Sequence, residues 1–125
     1  MDAILLLEDE PLILMDLEFA VEDLNAKPLL ASTAKEALDL IAAHAGSLTA
    51  AVLDVSLGGG ETCFPVAKEL ESRGIPFILH SGDLDRHDET VRTLNAALVA
   101  KPSPANEVIM AALAQRKING ETARS

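Results

Sequence analysis

The chain has 125 residues, a formal net charge of −10 and 49% hydrophobic residues, with neither Trp nor Tyr. That length suffices for one domain that buries roughly two-thirds of its unfolded surface without a metal or disulfide staple. The acidity and the lack of a basic stripe exclude direct nucleic-acid binding, Cys63 has no second cysteine to pair with, and no apolar run approaches the ~20 residues of a membrane span. The amino terminus carries no basic segment or cleavage pattern, so a cytoplasmic protein without membrane insertion is expected.

Ala3 to Leu7 is an uninterrupted apolar run, as in a strand buried on both faces, and Glu8-Asp9-Glu10 follows it directly. Pro11 suits a first helical turn, so a helix starts there and buries Ile13, Leu17, Ala20, Val21 and Leu24. Lys27-Pro28 ends it, and Leu29 to Ala31 forms a short second strand. Thr33 with Glu36 reads as a capping box for a helix that turns Leu38, Ile41 and Ala42 to the core. A third strand over Ala50 to Leu53 leads into Asp54 and the loop Val55-Ser56-Leu57-Gly58-Gly59-Gly60. The next helix covers about Thr62 to Ser72, since Pro65 is tolerated only in its first turn and Gly74 closes it. Phe77 to Leu79 is a strand that runs into His80-Ser81-Gly82. From Asp85 to Asn95 only Val91 and Leu94 are clearly apolar, which predicts a loosely anchored helix. Ala97 to Val99 is the fifth strand, ahead of Lys101-Pro102. A last helix follows Ser103-Pro104, buries Val108, Ile109, Ala112 and Leu113, and fades near Gly120. Residues 1–120 are thus the domain and 121–125 a frayed tail.

Strands alternating with helices argue for a doubly wound α/β domain, a parallel sheet with helices on both faces. Ligands of such sheets bind beyond the carboxyl ends of the strands. Glu8-Asp9-Glu10, Asp54, Ser81 and Lys101 all fall there. Carboxylates ~4 to 5 Å apart repel by several kcal/mol at an effective dielectric of ~20, so Glu8, Asp9 and Asp54 call for a hard cation. Mg²⁺ fits, because it takes one or two carboxylates and completes its shell with water and phosphoryl oxygens. Lys101 then supplies a point charge for a transferred phosphoryl group, the Ser81 hydroxyl a hydrogen bond, and Asp54 the nucleophile of an acyl phosphate.

Singly, each of these residues is ordinary: acids favour a helix amino end, aspartate forms turns, and Lys-Pro is frequent in loops. Their conjunction at four strand ends is what points to chemistry. His44 and His87 read as solvated, His80 as lining a strand end and Cys63 as a packing residue, none with metal-ligand spacing. Gly58-Gly59-Gly60 lacks the Gly-x-x-x-x-Gly-Lys-Ser/Thr pattern of a phosphate cradle.

From Ile4-Leu5-Leu6-Leu7-Glu8-Asp9-Glu10-Pro11 through Lys101-Pro102 to the last helix, the chain resembles a response-regulator receiver domain of the stand-alone, chemotaxis type. The resemblance implies a five-stranded parallel sheet in the flavodoxin-like order 2-1-3-4-5. It makes Asp54 the phospho-accepting aspartate and Glu8 and Asp9 the acidic pair that holds Mg²⁺, Asp9 directly and Glu8 more through water. Ser56 would offer its backbone carbonyl to the metal, Ser81 the switch hydroxyl, and Lys101, before a commonly cis proline bond, the motif lysine. The implied function is a single-domain response regulator of a two-component phosphorelay, with no enzyme activity beyond its own phosphorylation and dephosphorylation. A histidine kinase or histidine phosphotransfer protein would donate the phosphoryl group. A downstream protein partner would read the altered face, or the domain would drain phosphate from a relay. Asp16, Glu18, Glu22 and Asp23 flank the buried stripe of the first helix, so the phosphohistidine partner is expected to present a basic surface.

The chain also departs from the common receiver pattern. The loop after Asp54 has three glycines where a proline is usual, which predicts a freely moving loop. Leu98 stands where many receivers carry Tyr or Phe. Pro76-Phe77-Ile78-Leu79-His80-Ser81-Gly82 is an imperfect version of the Pro-Phe-x-Phe-Ala-Thr-Gly pattern of a mostly stand-alone subgroup. Gly82 leaves a phosphoryl group open to water, which Asp83 either orients or repels. The alternatives are an aspartyl-phosphate phosphatase of similar architecture, although Glu8-Asp9-Glu10 lacks its Asp-x-Asp nucleophile, and a degenerate receiver that binds partners without phosphate. A nucleotide or flavin binder lacks the glycine fingerprint after strand 1.

Overall fold

The computed structural model describes residues 2–82, 94 and 96–124, with side chains as far as residue 115. In chain order it runs β1 (Ala3–Leu7), α1 (Pro11–Asp23), β2 (Lys27–Ala31), α2 (Ala34–His44), β3 (Leu48–Asp54), β4 (Ser56–Leu57), β5 (Glu61–Thr62), α3 (Phe64–Ser72), β6 (Phe77–Ser81), β7 (Leu98–Ala100) and α4 (Ala105–Arg124). Of the expected helix over 85–95 only Leu94, which is buried, is among the described residues; Asp83 and His87 lie outside them.

Five parallel strands form one sheet in the order β2-β1-β3-β6-β7. With the antiparallel ribbon β4-β5 left aside, this is the expected 2-1-3-4-5. The apolar runs are uninterrupted because successive residues serve two cores. Leu5, Leu7, Ala51, Leu53 and Leu79 pack on Ile41 of α2 and Val66 and Leu70 of α3. Ile4, Leu6, Val52 and Ile78 pack on Leu17 and Val21 of α1 and Ile109 of α4. The domain is doubly wound, with helices on both faces.

Several boundaries differ from expectation, each for a physical reason. β3 and β6 end on Asp54 and Ser81 themselves, because register pairs Asp54 with His80 and Ser81 with Ala100. β7 is displaced one residue along the chain, to Leu98–Ala100. β2 includes Lys27-Pro28, tolerable because β2 is an edge strand. What turns the chain after α1 is Asn25, at φ 58° in the left-handed region that asparagine tolerates. Leu24 therefore lies past the last turn of α1 and is 46% exposed rather than buried. Ala42 is exposed too: the buried stripe of α2 is Ala34, Ala37 and Ile41, and Ala42 is turned away from it by one helical step. Thr62 belongs to β5, so α3 starts at Phe64 with Pro65 in its first turn, and Gly74 follows the helix at φ 69°. α4 continues through Gly120, where its end was expected; one glycine costs a helix interior only about 1 kcal/mol relative to alanine.

The Thr33 side chain accepts from the Glu36 amide at 3.1 Å, while Glu36 Oε1 accepts from Ser32 N at 3.0 Å and Ser32 Oγ at 2.9 Å. These bonds hold the Glu36 carboxyl below its usual range, the Ser32 amide first among them. The predicted capping box is thus present, with its return arm set one residue early. Thr33→Ala should cost about 1 kcal/mol. Urea denaturation should show it as a lower midpoint at unchanged slope.

Candidate functional site

The carboxyl edge of the sheet gathers acids around one lysine. Glu8 leaves β1 with its amide bonded to Ala31 O at 3.0 Å, and its side chain is only 1% exposed. Its Oε2 accepts from Glu10 N at 3.1 Å, which supplies an N-terminal bond that the Glu10 side chain does not make for α1. Asp54, the last residue of β3, is 3% exposed. Asp9 is exposed and accepts from Gly58 N at 3.3 Å. One carboxylate oxygen from each of Glu8, Asp9 and Asp54 lies within 4.8 Å of the others. Lys101 follows β7, its amide bonded to Ser81 O at 2.8 Å and its peptide bond to Pro102 cis. Its Nζ lies 2.9 Å from Glu8 Oε1 and 3.2 Å from Asp54 Oδ1. Ser81 is fully buried on the same edge, and its Oγ has no hydrogen-bond partner among the described residues. Ser56 is exposed at the start of β4, just beyond Asp54. The fold thus gathers Glu8, Asp9 and Asp54, places Lys101 on Glu8 and Asp54, and ties Ser81 to Lys101 through the backbone.

Burial of so much negative charge shifts the protonation of the site. The Asp54 carboxyl is pushed up to about 8, by burial first, then by hydrogen bonding with Glu8 and Asp9 and by the charge of Glu8, with Lys101 opposing. For Lys101, burial alone would lower the pKa, but the Glu8 and Asp54 carboxylates outweigh it and hold the ammonium above its ordinary range. His80 is pushed down by burial and by the charge of Lys101, against a weaker pull from Glu8. Three carboxylates and one ammonium leave a deficit of two positive charges when all are ionised. A divalent cation makes up that deficit, and a set of oxygen donors selects a hard one.

Two supporting residues escaped the sequence. Glu61 of β5 accepts from the Ala34 amide at 2.8 Å, so the ribbon is moored to the start of α2. Gly58 N–H holds Asp9, as noted. The triple-glycine loop is therefore a folded turn, with Gly59 at φ 71° and Gly60 at φ 80°, and Cys63 N closes it on Val55 O at 3.0 Å. No local pattern announces these bonds, because Glu61 and Ala34 meet only through the sheet. Cys63 is buried in the core on the α2–α3 face, in keeping with the packing role expected of it. His44 is half-buried, and His80 is almost fully buried.

No protein-family model matches the chain, and no curated protein matches it. Solved structures do. The chain is similar to SdrG from Sphingomonas melonis Fr1, with 36% identity and a TM-score of 0.76 over 94% of this chain and 97% of that one. A response regulator receiver protein from Sinorhizobium medicae WSM419 gives a TM-score of 0.78 at 19% identity, covering 94% and 96% of the two chains. The receiver (REC) domain of the Erythrobacter litoralis PhyR response regulator gives 0.75 at 24%, covering 94% and 90%. The last two establish the fold. Among the described residues no helix is long and apolar enough to cross a membrane.

Because the folded pKa of Asp54 stands above its ordinary value of 3.8, the folded state binds this proton more tightly than the unfolded one. Its contribution to stability is complete below the ordinary pKa and is lost as pH rises through about 8. In chelator, Asp54→Asn should therefore raise the thermal midpoint at pH 8, and do so less at pH 5. Thermal unfolding followed by circular dichroism at both pH values checks the sign.

Proposed function

Because the chain belongs to the response-regulator receiver family of two-component signalling, we propose that Asp54 is its phospho-accepting residue. The observation that carries this reading is the buried Asp54 carboxylate, with Glu8 and Asp9 within 4.8 Å and Lys101 Nζ at 3.2 Å, on the carboxyl edge of the sheet. Mg²⁺ is the cation the site calls for. Asp9 and Asp54 would hold it directly, Glu8 more through water, and Ser56 through its backbone carbonyl. Bound there, the ion neutralises the carboxylates and the oxygens of an incoming phosphoryl group.

The chain's own residues divide the remaining work. An ionised Asp54 oxygen attacks phosphorus in line with the leaving group, the P–N bond of the donor phosphohistidine breaks, and the imidazole departs with the electron pair. The product is an acyl phosphate on Asp54. Lys101, already bonded to Asp54 Oδ1, turns to a phosphoryl oxygen without leaving Glu8 Oε1. The buried Ser81 hydroxyl, free of other partners among the described residues, donates to another phosphoryl oxygen. Drawing Ser81 and Lys101 together ties β6 to β7 and alters the face around them, which a downstream protein reads.

The donor protein docks on α1. Leu12, Met15 and Phe19 form an exposed row at helical spacing, with Phe19 54% exposed, and Asp16, Glu22 and Asp23 lie beside it. That surface suits a partner with an apolar ridge and a basic rim.

Intact mass measurement after treatment with acetyl phosphate should show one added phosphoryl group with Mg²⁺, and none in EDTA or in Asp54→Asn. Lys101→Met should slow the addition by roughly 100-fold. Failure of the wild type to gain mass with metal and donor both present would refute the assignment. Phe19→Ala should slow transfer from a phosphohistidine protein more than from acetyl phosphate, and added salt should do the same, as stopped-flow or gel transfer kinetics would show.

A further inference from the structure

The hairpin that follows Asp54 is too short to hold its own place. β4 and β5 pair only Ser56 with Thr62 and Leu57 with Glu61. Their turn is a tight one, with Glu61 N bonded to Gly58 O at 3.4 Å and Gly59 and Gly60 both at positive φ. A two-stranded ribbon is at best marginally stable by itself, so its position comes from its anchors. On the core side the anchor is Leu57, which is buried. On the exposed side it is the Glu61 carboxylate, which accepts from the Ala34 amide at 2.8 Å. Ala34 opens α2 just past Ala31, whose carbonyl accepts from the Glu8 amide at 3.0 Å. At the turn, Gly58 N–H donates to Asp9 Oδ2 at 3.3 Å. These contacts close a ring, from Glu8 through Ala31, Ala34, Glu61 and Gly58 back to Asp9, the residue after Glu8.

We propose that Glu61 is a positioning residue of the acidic site: its bond to Ala34 keeps the Gly58 N–H on Asp9 and thereby sets the affinity for Mg²⁺. The inference rests on the reading of Glu8, Asp9 and Asp54 as a cation site. A carboxylate that ligates a metal is oriented by the hydrogen bonds it accepts, and loss of such an outer partner commonly costs roughly 10- to 100-fold in affinity. Asp9 depends on orientation most, because it is the exposed member of the three acids, whereas Glu8 and Asp54 are fixed by burial. With the Glu61 bond gone the ring is open, and the glycines of the turn offer no stiffness to keep Gly58 where it stands.

Mg²⁺ titration of the full chain without a phosphoryl donor, followed by ¹H–¹⁵N shifts at Glu8, Asp9 and Asp54, tests this. Glu61→Ala should weaken Mg²⁺ binding roughly three- to tenfold, the share of one hydrogen bond. Glu61→Gln keeps an oxygen acceptor without the charge and should bind close to the wild type. Ala34→Pro deletes the donor from the far end: proline suits the first position of a helix, and Thr33 before it already has the extended backbone that proline requires, at φ −131° and ψ 159°. It should weaken Mg²⁺ as much as Glu61→Ala does, and the double variant no further. A merely structural bond would lower the thermal midpoint and leave the Mg²⁺ dissociation constant where it was. Wild-type affinity in Glu61→Ala or in a folded Ala34→Pro overturns the inference, and so does a Glu61→Gln that binds as weakly as Glu61→Ala, since charge would then be the cause. Should Ala34→Pro fail to fold, the two Glu61 variants decide alone. A wild type whose amides do not respond to Mg²⁺ at all refutes the cation reading, and this inference with it.

Discussion

Two nearly inaccessible carboxylates and one lysine set the terms for this domain. Glu8 and Asp54 are 1% and 3% exposed, and the Lys101 ammonium is bonded to both. An ion pair of this kind gives little net stability, because desolvation of its members consumes most of the Coulombic gain. It survives here because the surrounding sheet is over-determined. β1 is buried along its whole length, β3 and β6 carry apolar residues to both cores, and Glu8, Asp54 and Lys101 are each anchored by a strand end that has no freedom to withdraw. The residual misfit appears as an Asp54 carboxyl raised to about 8, by burial first and then by Glu8 and Asp9. The same arrangement that carries this electrostatic cost is one that could hold a divalent ion.

Much of this was legible in the residues, and the reasons are specific. The runs Ala3–Leu7 and Phe77–Leu79 cannot be amphipathic surface strands, so a sheet covered on both faces follows, and with it a functional edge that holds Asp9, Asp54 and Lys101. Helix phase is written less plainly in the residues. Leu24 and Ala42 satisfy a loose spacing rule, yet one sits past the end of its helix and the other one step off the stripe. Polarity is a poor marker of a strand end. Asp54 and Ser81 are polar and still on the ladder, since the hydrogen bonds of a strand are made by its backbone whatever the side chain.

What lay beyond the sequence was long-range and polar. Glu61 stands next to three glycines and reads as the rim of a loop, but its carboxylate reaches the first amide of α2. That bond, with Gly58 on Asp9, converts an intrinsically loose turn into a brace between the acidic site and a helix on the opposite face. His80 was visible as a residue on a strand end, while its lack of partners belongs to the fold alone.

Lys101 also reaches beyond the acidic site. Its ammonium faces Glu8 and Asp54, and its side chain lines the space beneath α1 that holds His80. The charge of Lys101 favours the deprotonated form of both neighbours, against burial at Asp54 and with burial at His80, so the same ammonium promotes an anion on one side and a neutral ring on the other.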